Sequence, residues 1–133
     1  MSTATLPRLA HLAPVLIVDD VETCVAFWTD RFGFAAENQV PGPDGRLAFA
    51  SVKRDGIEIM FQSRASVLAD ESVNGAELAV RPTLLFLTVP DLNSVEQAVA
   101  GSPVFKARHT TFYGSTELYV REPGGTVVGF AQF

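Results

Sequence analysis

Leu16-Ile17-Val18-Asp19-Asp20-Val21, running into a helical text from Glu22 to Phe32, is echoed 71 positions later by Leu87-Thr88-Val89-Pro90-Asp91-Leu92, running into Asn93 to Ala100. Each copy is an apolar, partly β-branched run that ends at an aspartate able to cap the helix after it. A repeat of about half the chain is too long for a solenoid unit and points to two tandem modules. Function is then to be sought between the halves.

Working outward from the first copy, Ala13 to Val18 reads as a strand and Asp20 as the N-cap of a helix starting at Val21. Val21, Cys24, Val25, Trp28 and Phe32 recur at helical spacing as one apolar stripe, and Gly33 supplies the residue that can end the helix in a left-handed conformation. Phe34 to Val40 reads as a second strand, Pro41 to Gly45 as a turn and Arg46 to Lys53 as a third strand. Asp55-Gly56 is a hairpin signal leading into a fourth strand, Ile57 to Gln62. Ser63 to Arg81 is more polar and reads as a connection with one short helix. The order then repeats: strand Thr83 to Val89, helix Asp91 to Ala100 stopped by Gly101, and strands Val104 to Thr110, Thr116 to Arg121 and Thr126 to Gln132. The fold class is therefore α+β, two βαβββ modules in a single domain. Module one spans about residues 11–63, the connection 64–81 and module two 82–133.

Composition narrows the function classes. With 133 residues, 47% hydrophobic and 19% charged, the chain can bury a substantial core. A net charge of −5 without a Lys/Arg cluster argues against nucleic acid and anionic membranes as partners. No apolar run reaches the length of about 18 residues that spans a bilayer, and the N-terminus lacks the order of a secretory signal, so a cytoplasmic location is expected. The single cysteine, Cys24, sits on the helix stripe and reads as an inert buried thiol, and Trp28 on the same stripe as core.

Strand alternation selects the side chains available for chemistry. In the fourth strand Ile57, Ile59 and Phe61 suit helix packing, leaving Glu58, Met60 and Gln62 opposite; in the seventh, Thr116, Leu118 and Val120 leave Glu117, Tyr119 and Arg121. An apolar face with sparse polar groups suits the lining of a ligand pocket. Tyr113, in the loop before the seventh strand, lies near the mouth of such a cleft. His11 and His109 fall near strand ends, where histidines are more often solvated than catalytic.

The two modules, the segment Pro14 to Glu22, the helix text Ala26-Phe27-Trp28-Thr29-Asp30-Arg31-Phe32-Gly33-Phe34, the strand Ile57 to Gln62 and the closing Val120 to Phe130 together resemble the glyoxalase, bleomycin-resistance and extradiol-dioxygenase superfamily, the vicinal oxygen chelate fold. The resemblance runs from about His11 to Phe133. It implies modules that curl their sheets into a mixed, cleft-forming surface, often completed by homodimerisation. It also implies, in metal-dependent members, one ion held from the first and last strand of each module. Counted back from Asp20 and Asp91, the first-strand places fall on Ala13 and Leu84; the last-strand places fall on Glu58 and Gly129. Only Glu58 can donate an electron pair, and a catalytic site needs about three protein ligands. The expectation is a metal-free member with no cofactor and no assigned catalytic residue. His11, two residues before Ala13 on the same face, and Glu117 or His109 are the groups that would have to restore a metal.

Within that superfamily the text is closest to bleomycin-resistance proteins, which implies a cleft that sequesters a bulky, aromatic, cationic antibiotic. Phe49, Glu58, Met60, Phe86, Tyr113, Glu117 and Tyr119 are the expected ligand-binding residues, with Glu58 and Glu117 as anionic groups and the rings and Met60 as stacking surface. The competing class is a metal-dependent lyase or dioxygenase of the same superfamily with atypical ligands. A metal-free acid–base enzyme using Glu58 or Glu117 is the third.

Overall fold

The capping signals of the sequence set both helices that the repeat announces. In the computed structural model, which describes residue 6 and residues 10–69 and 83–133, the Asp20 carboxylate accepts from the Thr23 N–H at 3.2 Å and opens α1, Val21–Phe32. Gly33, at φ +67°, closes it with its N–H on the Thr29 carbonyl. The chain continues as β2 (Ala35–Pro41), β3 (Leu47–Arg54) and β4 (Ile57–Ser63), preceded by β1 (Val15–Val18). Asp55 and Gly56 both take positive φ in the β3–β4 turn, as a two-residue hairpin of right-handed twist requires. A short α2, Arg64–Ala69, begins the connection. The rest of the expected connection, up to Arg81, and the start of the expected module two lie outside the described residues.

Module two repeats the order as β5 (Leu84–Thr88), α3 (Leu92–Ala98), β6 (Val104–Thr110), β7 (Thr116–Arg121) and β8 (Val127–Gln132). The Asp91 carboxylate caps α3 through the Asn93 N–H at 3.0 Å, and the Gln132 side chain takes the Leu92 N–H at 2.7 Å. The helix stops three residues before Gly101, at a Val99 cap. Arg31 of α1 explains the early stop: its guanidinium donates to the Ala98 and Ala100 carbonyls, satisfying acceptors that a longer helix would have used.

Each module forms a four-stranded sheet of the same order, β1-β4-β3-β2 and β5-β8-β7-β6, with the first and last strands parallel. The helix-bearing faces of both sheets meet in one core. Leu16, Val18, Val52, Ile59 and Phe61 of the first sheet and Leu118, Val120, Val128 and Phe130 of the second belong to one buried cluster around Trp28 and Phe27. The stacked rings of Phe32 and Phe130, 5.5 Å apart, join the halves. The β7–β8 turn also presses on module one: a Cβ on Gly124 would lie 2.5 Å from Val18 Cγ1 and 2.9 Å from Cys24 Sγ, so only glycine fits there. Cys24 is fully buried, and burial pushes its thiol pKa well above the ordinary range, with the nearby Glu122 charge adding to the effect. It is an inert core thiol, as the stripe predicts. Among the described residues no element packs over the opposite face of either sheet, and Val15, Leu84 and Phe86 are exposed on it.

Candidate functional site: two half-clefts

Because the modules share a core through their helix faces, the seven expected binding residues divide into two sets. Phe49, Glu58 and Met60 lie on the open face of the first sheet; Phe86, Glu117 and Tyr119, with Tyr113 above them, lie on the second.

In module one, β4 pairs antiparallel to β3, so that Glu58 faces Lys53, Met60 faces Ser51 and Gln62 faces Phe49. On the other side Val15 and Ile17 of β1 pair with Met60 and Gln62. Glu58 is 7% exposed. His11 Nε2 sits 2.6 Å from its Oε1, and Lys53 Nζ lies 3.8 Å from its Oε2 and 3.1 Å from Glu37. The hydrogen bond from Lys53 to Glu37, with the charges of Glu37 and Glu58, raises the lysine pKa. His11 reaches Glu58 because the parallel pairing extends one residue beyond β1, with the Met60 N–H on the Pro14 carbonyl at 2.9 Å. The side chain is therefore tied to the sheet face at one nitrogen while it stays 52% exposed to solvent.

Module two buries its carboxylate differently. Glu117 is 1% exposed, and three hydroxyls donate to it: Tyr113 Oη at 2.6 Å and Ser115 Oγ at 2.7 Å to Oε2, and Tyr119 Oη at 2.9 Å to Oε1. His109 Nε2 stands 3.9 Å from Oε1, while Nδ1 contacts the Ala107 carbonyl. The Tyr113 hydroxyl foremost, then those of Ser115 and Tyr119, hold the Glu117 carboxyl below its usual range against the cost of desolvation. The phenols respond in the opposite sense. Burial and its hydrogen bond to Glu117 push Tyr119 up to about 12, and Tyr113 is raised by its own hydrogen bond to Glu117. The Tyr119 ring lies flat on Gly129 of β8, where a Cβ would come within 2.3 Å of the ring, and stacks on His109 at 6.2 Å. Above this floor is a cavity of about 490 Å³ lined by Leu84, Phe105, Lys106, Phe112, Tyr113 and Tyr119 among others, all from module two.

Sequence reasoning found the two carboxylates, with Tyr113 and Tyr119 beside one of them, and missed Ser115 and Lys53. Ser115 carried a usable signal, since it stands two residues before Glu117 on the same strand face. Lys53 lies opposite Glu58 across a hairpin that the Asp55-Gly56 turn had already fixed. The counting of last-strand places needs correction. Val15 pairs with Met60 and its repeat partner Phe86 pairs with Gly129, so Gly129 is the counterpart of Met60, and the counterpart of Glu58 is Val127. Module two thus presents Leu84 and Val127, paired to each other, where module one presents Ala13 and Glu58. Neither can ligate. Of these positions only Glu58 carries a donor, and the His11 imidazole beside it brings the number within one chain to two, short of the three that a catalytic ion needs. Among the described residues no group of three or more His, Cys, Asp or Glu is arranged to hold a metal. The donor set does not fit the group.

The glyoxalase, bleomycin-resistance protein and dioxygenase superfamily model matches residues 8–130, and the chain belongs to that superfamily. An uncharacterized protein of Mycobacterium bovis is 29% identical over 117 residues, covering 86% of this chain and 77% of its own. Among solved structures, a lactoylglutathione lyase from Agrobacterium tumefaciens aligns with a TM-score of 0.72 at 23% identity, covering 95% of both chains. TioX from Micromonospora sp. ML1 aligns with 0.74 at 17% identity, covering 92% of this chain and 98% of its own. These identities establish a common fold. No helix among the described residues is long and apolar enough to cross a membrane.

Proposed function

We propose that this chain is a non-catalytic small-molecule binder whose guest is an aromatic cation, held in the module-two half-cleft and sequestered in the manner of bleomycin-resistance proteins. One observation carries the reading: the buried Glu117 carboxylate is kept ionised behind the rings of Tyr113 and Tyr119, at the floor of a cavity edged by Phe105 and Phe112. Phenols that donate to a carboxylate become richer in electrons, so their faces attract a cation more strongly, and Glu117 adds its own charge from below. Phe112 is fully exposed and Tyr113 half-exposed, which leaves stacking surface unfilled. Fluorescence or calorimetric titration with bleomycin, and with a matched pair of aromatic probes differing only in a quaternary ammonium, tests this. The cationic probe should bind at least about tenfold more tightly than the neutral one. Equal binding removes the role of Glu117, and no binding of either removes the reading.

The half-cleft is lined by one module, and the open faces of both sheets carry exposed apolar side chains, so the same proposal includes a homodimer in which a second copy completes the cleft. Elution as a monomer at micromolar concentration overturns that part.

The contact of His11 with Glu58 favours a second reading, a metal-dependent enzyme whose remaining ligands come from another copy. Elemental analysis of protein purified without added metal separates the two. Near-stoichiometric zinc, nickel, manganese or iron supports the enzyme, and its absence supports the binder.

A further inference from the structure

The larger cavity, about 590 Å³, lies in neither half-cleft but at the seam between the modules, between α1 and the turns that follow α3 and β7. Thr23, Ala26, Phe27, Asp30 and Arg31 come from α1; Ser102, Pro103, Arg121, Glu122 and Pro123 come from module two. Its size is ordinary for a small-molecule site.

Its charges are unusual. Neither Arg31 nor Arg121 forms a salt bridge to a carboxylate among the described residues. Arg31 is fixed instead by the Ala98 and Ala100 carbonyls, at 3.1 and 2.9 Å, and by the Phe27 ring at 5.5 Å. Arg121 is fixed by the Gly125 carbonyl at 3.1 Å and by the Phe105 ring at 5.0 Å. Each guanidinium uses one terminal nitrogen in these contacts and keeps its other donors, in a fixed orientation, for an anion. The sheet register explains why Arg121 is unpaired. It occupies in module two the place of Lys53 in module one, and the carboxylate that faces Lys53, Glu58, is replaced by Val127. The groove also carries negative charge. Asp30 is exposed and, among the described residues, accepts a side-chain hydrogen bond only from the neighbouring Thr29 hydroxyl, at 3.3 Å. Glu122 is 2% exposed; its Oε1 accepts from the Thr126 N–H at 3.0 Å, and its carboxylate also stands beside the buried Cys24 thiol.

We propose that this seam groove binds a small zwitterion, an α-amino acid with an apolar side chain. The carboxylate lies on the free edges of Arg31 and Arg121, the ammonium faces Asp30 with the Glu122 charge behind it, and the side chain covers Ala26, Phe27 and Pro103. A plain anion would leave Asp30 unanswered, and a plain cation the two arginines. A zwitterion answers both and joins α1 to the module-two turns, so its binding stabilises the seam.

The test uses the full-length protein and three probes of one shape: L-phenylalanine, 3-phenylpropionate and phenethylamine, followed by calorimetry and thermal shift. L-Phenylalanine should raise the melting temperature in a concentration-dependent way and bind at least about tenfold more tightly than either probe lacking one charge. Asp30→Asn should bring the affinity for L-phenylalanine down toward that for 3-phenylpropionate and leave the latter unchanged or improved. Arg121→Gln should weaken both carboxylate-bearing probes and leave phenethylamine unchanged, and Glu117→Gln in the half-cleft should leave all three unchanged. Equal affinity for the three probes, or indifference to Asp30→Asn, overturns the proposal. So does loss of L-phenylalanine binding in Glu117→Gln, which would place the amino acid in the half-cleft. Because Glu117 stands outside the groove, failure of this proposal leaves the half-cleft reading intact, and the converse holds.

Discussion

Glu58 and Glu117 are both buried on the open face of a sheet, yet one faces a lysine ammonium and the other is held by hydroxyls. Module one sets the Lys53 ammonium 3.8 Å from its carboxylate and the His11 imidazole at 2.6 Å. Module two surrounds its own with three hydroxyls, which stabilise the negative charge without cancelling it. On the proposed reading, a cation would meet the Glu117 charge with His109 as its nearest basic group, at 3.9 Å, and the Glu58 charge with Lys53 already beside it. The repeat supplies the same scaffold twice, and its neighbours give one carboxylate a lysine and the other three hydroxyls.

The comparison breaks most severely at Gly129. Gly129→Ala drives a methyl group into the Tyr119 ring and should displace it from the Glu117 network. The expected loss is about 1–3 kcal/mol of stability, with cation binding abolished, read by chemical denaturation and titration. The matching change on the other face, Met60→Ala, should leave binding in module two unaltered. Next in size is the pair of amide exchanges. Glu117→Gln should weaken an aromatic cation by about tenfold or more while Glu58→Gln changes it less than about threefold; equal losses would show that the guest spans both faces.

Acid sharpens the contrast. The Glu117 pKa is depressed in the folded protein, so the stability it contributes is present above the unfolded carboxylate value and is lost as pH falls through the folded one. Denaturation midpoints measured from pH 6 downward should fall less steeply in Glu117→Gln than in the parent. At the alkaline end the sign reverses. Tyr119 is raised to about 12 from 10.0, so its contribution is complete below pH 10 and disappears as pH rises through about 12. Tyr119→Phe should flatten that limb. The smallest effect compares the two caps: Asp20→Ala and Asp91→Ala should each cost about 1 kcal/mol, measured by urea unfolding. A much larger cost at Asp20 would reflect its second contact, with Arg46 at 2.8 Å.

Local rules reached far into this fold. The helical stripe from Val21 to Phe32, its Asp20 and Gly33 ends, the Asp55-Gly56 turn and the faces of β4 and β7 all follow from short-range periodicity and capping, and all are present. The end of α3 was not legible, because what stops it is Arg31, which lies 67 residues away from Ala98 in the chain. The counterpart of Glu58 was misplaced by two residues, because counting along a strand cannot supply the interstrand register that sets Val127 opposite Leu84. Within the candidate site, alternation identified Glu58, Glu117 and Tyr119, while His11 on one carboxylate depends on pairing that extends beyond β1.

The amino-acid sequence by itself determined two βαβββ modules, their helix ends and the sheet face on which each carboxylate stands, because helix capping, hairpin turns and side-chain alternation act over a few residues. Tertiary structure alone decided that the modules join through their helix faces, leaving two open half-clefts and a seam groove. It also decided that Glu58 is ion-paired while Glu117 is held by hydroxyls. Those outcomes depend on contacts between strands and modules, whose energies follow distance in space and not separation along the chain.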